Sequence, residues 1–216
     1  MENLILLPVF LFPLAGLLYI ALLHKRPFKG DWVIKAIPAL SLAVLSIFFV
    51  PGVYGKILCA GFVLSAMGDI SLCFEGEKYF IGGLVSFLLA HVTYIVTFAM
   101  DSPWSTQLWW LLGLIGIFGV LMVMVLTPHL GPMKIPVYVY ISVILTMDVM
   151  AVMHGPDNIV LIAGALTFTL SDTILALNKF RKPVPAAEYL IMSTYYAGQA
   201  LIFLGMAAEH FEIRFC

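Results

Sequence analysis

Eight apolar runs follow one another along this chain, each close to the length that crosses a bilayer, and they leave little choice of fold. Divided at Pro, Gly and charge, they cover Leu4 to Leu22, Val33 to Val50, Ile57 to Phe74, Phe80 to Met100, Leu108 to Leu126, Pro136 to Val152, Ile159 to Leu177 and Ala187 to Ala207. A helix needs about 20 apolar residues to cross a hydrocarbon layer of ~30 Å. Membrane strands would alternate over ~10 residues, and these runs do not. Only 11% of the 216 residues are charged, and the mean hydropathy is +1.07, far from the ~25% charge of a soluble domain. The predicted fold is all-α: a polytopic integral membrane protein with eight transmembrane helices. The second and sixth spans are the shortest.

The connectors are short and none resembles a domain linker, so residues 1–216 read as a single transmembrane bundle. The first run is read as a true helix. Met1-Glu2-Asn3 lacks a basic start, and His24-Lys25-Arg26 stands where a signal peptide would carry small residues. Positive charge sets an orientation. Lys25, Arg26, Lys29, Lys35, Lys78, Lys134, Lys179, Arg181 and Lys182 flank or fill the odd-numbered connectors, against Lys56 and Arg214 on the other side. The positive-inside rule then puts the odd-numbered connectors in the cytoplasm and both termini outside. These basic residues form no broad patch, which argues for headgroup contact and against nucleic-acid binding.

Two carboxylates interrupt the apolar pattern. Asp69 ends the stretch Gly61 to Asp69, and Asp172 ends Gly164 to Asp172, at the same offset from a glycine. An acid within a span turns inward and marks a functional site by default. Shifting the chain by 103 residues aligns Gly61 with Gly164, Asp69 with Asp172 and Lys78 with Arg181, the register expected of a parallel repeat of four helices plus four. Asp69 lies five residues before Phe74 and Asp172 five before Leu177. At 1.5 Å per residue both would sit about 7 to 8 Å inside the inner end of their helices. If those helices face each other, the acids flank one cavity.

Helical spacing adds polar neighbours. Ser65 and Cys73 share the face of Asp69, and His91 shares one with Tyr94. Tyr195 and Tyr196 precede Gln199 by four and three positions. Thr169 and Ser171 stand near Asp172. Asp148 is read as reaching the outer interface, and Glu188 as an acid suited to a helix start.

Metal and disulfide chemistry are poorly supplied. Cys59 and Cys73 read as packed thiols, Cys216 as a tail residue, and His24, His129, His154 and His210 as loop or tail residues. His91 alone lies deep in a span, whereas zinc takes three protein ligands even in an open site. No metal and no cofactor is expected. What two buried acids can do is hold a proton and a negative charge side by side near neutral pH. That equips a site for acid-catalysed hydrolysis and equally for proton-coupled transport.

Ser65-Ala66-Met67-Gly68-Asp69, Gly82 through Phe87 with His91 and Tyr94, Gly164 through Ser171-Asp172, and Tyr195-Tyr196-Ala197-Gly198-Gln199 together resemble the YhhN-like family. That family includes the eukaryotic lysoplasmalogenases, and the resemblance spans nearly the whole chain. It implies a membrane hydrolase that cleaves the vinyl ether bond of lysoplasmalogens. The products would be a fatty aldehyde and glycerophosphoethanolamine or glycerophosphocholine, without a cofactor. The resemblance carries the family acids to Asp69 and Asp172, and polar positions to His91, Tyr94, Tyr196 and Gln199.

On that reading Asp172 donates the proton and Asp69 is the carboxylate, or the reverse. Ser65, His91, Tyr94, Tyr195, Tyr196 and Gln199 position substrate or water, and Lys78, Lys179, Arg181 and Lys182 form a phosphate rim. The partner is a lysophospholipid within the bilayer, in a bacterial inner membrane. No obligate protein partner and no nucleic acid are called for. The competing class is a proton-coupled transporter of small solutes or lipids. An intramembrane aspartyl protease fits poorly, because Ala66 stands where its Gly-x-Gly-Asp pattern begins with glycine.

Overall fold

The computed structural model describes residues 2–100 and 102–212; Arg214 and Cys216 lie outside them, as does the side chain of His210. Eight α-helices form: α1 (Glu2–Leu22), α2 (Asp31–Phe49), α3 (Gly52–Ser71), α4 (Glu77–Met100), α5 (Trp109–Leu126), α6 (Lys134–Met153), α7 (Ile159–Ala176) and α8 (Ala187–Glu212). No strand occurs among the described residues. All eight helices lie in segments long and apolar enough to cross a membrane. The predicted spans therefore correspond one to one with helices. The shortest, however, are α5 and α7 at 18 residues each, not the second and sixth.

The differences lie at the ends. Helix α3 starts at Gly52, five residues before Ile57, after Pro51 in extended conformation. Pro51 to Lys56 looked like a connector because it is rich in Pro and Gly. Gly55 is required here for another reason: a Cβ there would meet the Val50 carbonyl oxygen at 2.1 Å, where the chain turns back on α2. Helix α3 also stops at Ser71, short of Phe74, so Asp69 falls in its last turn. Beyond α7, Leu177–Arg181 continue as a π-helical turn where a loop was expected. Helix α8 runs to Glu212 and takes in His210, which had been assigned to a tail.

The helices gather into two compact units. Among the described residues the first comprises 2–97 with 206–212, the second 98–100 with 102–205. In the first unit α1 packs on α2 and α2 on α3, with Ala36 and Ala39 meeting Ala66 across a seam of small residues. Small side chains allow the backbones of membrane helices to approach closely. In the second unit α5 packs on α6 and α6 on α7, around Ile115, Val152 and Ile162.

Each unit uses a glycine of its third helix to seat the fourth. A Cβ on Gly61 would lie 2.5 Å from the Tyr94 ring of α4. One on Gly164 would lie 2.6 Å from the Ile202 backbone nitrogen of α8. These contacts decide which faces of α3 and α7 turn inward, and so where Asp69 and Asp172 point.

Candidate functional site

In the first unit the centre is an ion pair. Asp69, 1% exposed, meets Lys35 of α2 with Lys35 Nζ 3.5 Å from Asp69 Oδ1. A buried carboxylate is costly to hold unless a charge partners it, and Lys35 supplies that charge. This corrects the reading of Lys35 as a topology-setting cation at a connector, since it is itself only 5% exposed. The signal was available: Lys35 already fell inside the second predicted span.

Ser65 lies one turn before Asp69 on α3, yet its hydroxyl is 3.1 Å from Tyr94 Oη. Close packing of α4 at Gly61 brings that phenol within reach. His91 is fully buried and presents its ring edge-on to Tyr94, with centroids 6.4 Å apart. Ser65, Tyr94 and His91 thus lie along one seam between α3 and α4. Lys78 is exposed at the start of α4, its ammonium over the Tyr79 ring.

In the second unit Asp172 accepts a hydrogen bond at Oδ2 from the Tyr140 hydroxyl of α6. One turn along α7, the Thr169 hydroxyl donates to Asp148, bridging Oδ1 at 3.0 Å and Oδ2 at 2.9 Å. Asp148 is 1% exposed, so it does not reach the interface as expected but lies inside the unit. Thr169 had been grouped with Asp172; its hydroxyl serves Asp148 instead. Ser171 donates to the Ile191 carbonyl and ties α7 to α8.

On α8 the expected i to i+4 contact forms, Gln199 Nε2 donating to Tyr195 Oη at 3.0 Å. Tyr196 is buried against Tyr195, with ring centroids 5.3 Å apart. Lys179, Arg181 and Lys182 are exposed in and just after the π-helical turn that follows α7.

A groove of about 260 Å³ opens in the second unit between α5 and α7. Leu111, Leu114, Ile115 and Phe118 of α5 form one wall, Leu166 and Leu170 of α7 the other, and Asp148 and Thr169 are its polar lining. Tyr140 and Asp148 escaped sequence reading as functional residues. The available signal was their spacing of eight residues, about two helical turns, which puts both on one face of α6. What they face could not be read from that spacing. Among the described residues no three His, Cys, Asp or Glu side chains stand close enough to share a metal ion.

Comparison with known proteins adds a family. The model of the YhhN family matches residues 30–206. Lysoplasmalogenase TMEM86B from Homo sapiens is 37% identical over 183 residues, covering 80% of this chain and 73% of that protein. Lysoplasmalogenase TMEM86A from Homo sapiens is 31% identical over 204 residues, covering 85% and 84%. Lysoplasmalogenase TMEM86A from Bos taurus is 34% identical over 199 residues, covering 81% and 78%. No solved structure matches the chain.

Proposed function

Because this chain belongs to the YhhN family, we propose that it is a lysoplasmalogenase, hydrolysing the vinyl ether bond of a lysophospholipid within the bilayer. The observation that carries this reading is similarity to proteins named lysoplasmalogenases over four fifths of the chain. The buried acids supply the matching chemistry.

Hydrolysis begins when a proton is added to the vinyl carbon beta to the ether oxygen, giving an oxocarbenium ion. Water adds to the cationic carbon and loses a proton. The hemiacetal then collapses to a fatty aldehyde and the glycerol hydroxyl of glycerophosphoethanolamine or glycerophosphocholine. Asp172 is the proton donor and Asp69 the carboxylate that stabilises the cation and takes up the proton of the water. The ion pair with Lys35 supports the anionic role of Asp69. A general acid of this kind contributes on the order of 10²- to 10⁴-fold in rate.

Ser65, His91, Tyr94, Tyr195, Tyr196 and Gln199 line up water and the glycerol end. Lys78, Lys179, Arg181 and Lys182, exposed at helix ends, attract the phosphate. The basic residues other than Lys35 support an orientation with the odd-numbered connectors in the cytoplasm and both termini outside; the membrane itself is read as a bacterial inner membrane.

The test is aldehyde release by the purified, detergent-solubilised protein from a lyso-vinyl-ether phospholipid, beside its saturated ether analogue. Release from the vinyl ether alone is the expected result. Folded protein that releases none across several headgroups would overturn the reading and favour proton-coupled transport.

A further inference from the structure

The groove between α5 and α7 ends on a carboxylate that the mechanism above does not use. Asp148 is 1% exposed, and among the described residues its one hydrogen-bond partner is the Thr169 hydroxyl. A carboxylate offers about four acceptor sites, so a single bridging hydroxyl leaves most of its capacity unspent. Both residues line the groove. The remaining walls are aliphatic or aromatic, and Leu114 and Leu170 at its sides are about half exposed on the apolar surface of the unit. The site therefore combines a hydrocarbon seat, reachable from the membrane, with one buried acceptor in its lining.

We propose that Asp148 accepts the hydrogen bond of the free glycerol hydroxyl of the lysolipid, with the neighbouring hydrocarbon chain in the groove. This pairing selects one-chain lipids over two-chain lipids, whose second acyl group removes the donor. The proposal rests on the lysoplasmalogenase reading and deepens it. A lysolipid carries its free hydroxyl on the carbon next to the one that bears the ether oxygen. A hydroxyl held at Asp148 thus keeps the vinyl ether within a few ångströms of the acceptor. Thr169 and Asp172 are three residues apart on α7, a rise of about 4.5 Å, so the assigned proton donor lies one turn from the held hydroxyl. A site that pairs a buried acceptor with a substrate hydroxyl rejects the analogue lacking it, because the acceptor is then left unpaired.

The test compares a lyso-vinyl-ether phospholipid with an analogue whose glycerol hydroxyl is methylated. The wild-type chain prefers the free hydroxyl by roughly 10- to 100-fold in kcat/KM, the range for leaving a buried acceptor unsatisfied. In Asp148→Asn the amide can donate to the methoxy oxygen, and the preference narrows to a few-fold. Equal losses on both substrates would make Asp148 merely structural and overturn the proposal.

Leu170→Trp, at an exposed position, tests the groove independently of the acid. It raises KM roughly tenfold for a long-chain substrate and clearly less for a short-chain one; an unchanged long-chain KM overturns the groove assignment. Should the wild type hydrolyse neither lipid, the lysoplasmalogenase reading fails, and binding of a saturated 1-O-alkyl lysolipid decides the site. Retention weakened both by methylating the lipid hydroxyl and by Leu170→Trp supports it, and retention unaffected by either change overturns it.

Discussion

Lys35 Nζ of α2 stands 3.5 Å from Asp69 Oδ1 of α3, and neither side chain is more than 7% exposed. Two opposite charges have been drawn out of solvent together. Removing one strands the other, which costs more than the pair contributes over an apolar replacement. Lys35→Met is therefore expected to destabilise the protein by about 3 kcal/mol or more, read from thermal unfolding in detergent micelles. Lys35→Met with Asp69→Asn recovers part of that loss. Additive losses in the double variant would show that the two residues are not coupled.

Asp69→Asn and Asp172→Asn remove a charge or a transferable proton while nearly conserving shape. Each is expected to reduce aldehyde release by at least ~100-fold. Asp172→Asn keeps the elution profile of folded protein, whereas Asp69→Asn also lowers stability by stranding Lys35, so its turnover is compared per folded protein. Substantial turnover in either purified variant would remove that acid from the mechanism.

Tyr140 donates to the Asp172 carboxyl. Tyr140→Phe takes away one oxygen and keeps the ring, so packing between α6 and α7 is preserved. A hydrogen bond to a charged group is worth about 1.5–3 kcal/mol, and kcat is expected to fall roughly 10- to 100-fold with little change in KM. A kcat equal to that of the wild type would reduce Tyr140 to a packing residue.

The glycines separate into two kinds. A Cβ on Gly164 would collide with the α8 backbone at 2.6 Å, whereas one on Gly116 of α5 meets nothing within 4 Å. Gly164→Ala is expected to cost about 1–3 kcal/mol of stability through overpacking. Gly116→Ala is expected to be neutral or to add up to ~1 kcal/mol through helix propensity. Unfolding of the two variants under identical micelle conditions distinguishes them, and equal midpoints would refute the close approach of α7 and α8.

Much of this protein could be read from local composition. Hydropathy adds along a run, and each of the eight spans carries enough of it to specify a helix without knowledge of its neighbours. Asp69 and Asp172 stood out for the same reason, as acids inside segments that cannot solvate them. The polar residues four positions apart, such as Tyr195 and Gln199, followed from helical spacing alone.

Partnerships across helices were decided only by tertiary packing. Lys35 and Asp69 are 34 residues apart, and Tyr140 and Asp172 are 32. A helix turns its side chains by about 100° per residue, so a small difference in rotation replaces one partner with another. Gly61 and Gly164 set those rotations through contacts that no local pattern encodes. Asp148 shows the consequence most plainly: its position near a helix end suggested an interfacial acid, and the packing of α6 on α7 buried it in the lining of an apolar groove. Sequence determined that the chain forms membrane helices and which acids interrupt them. Packing decided which groups those acids meet, because a side chain's environment depends on the rotation and approach of helices distant in sequence.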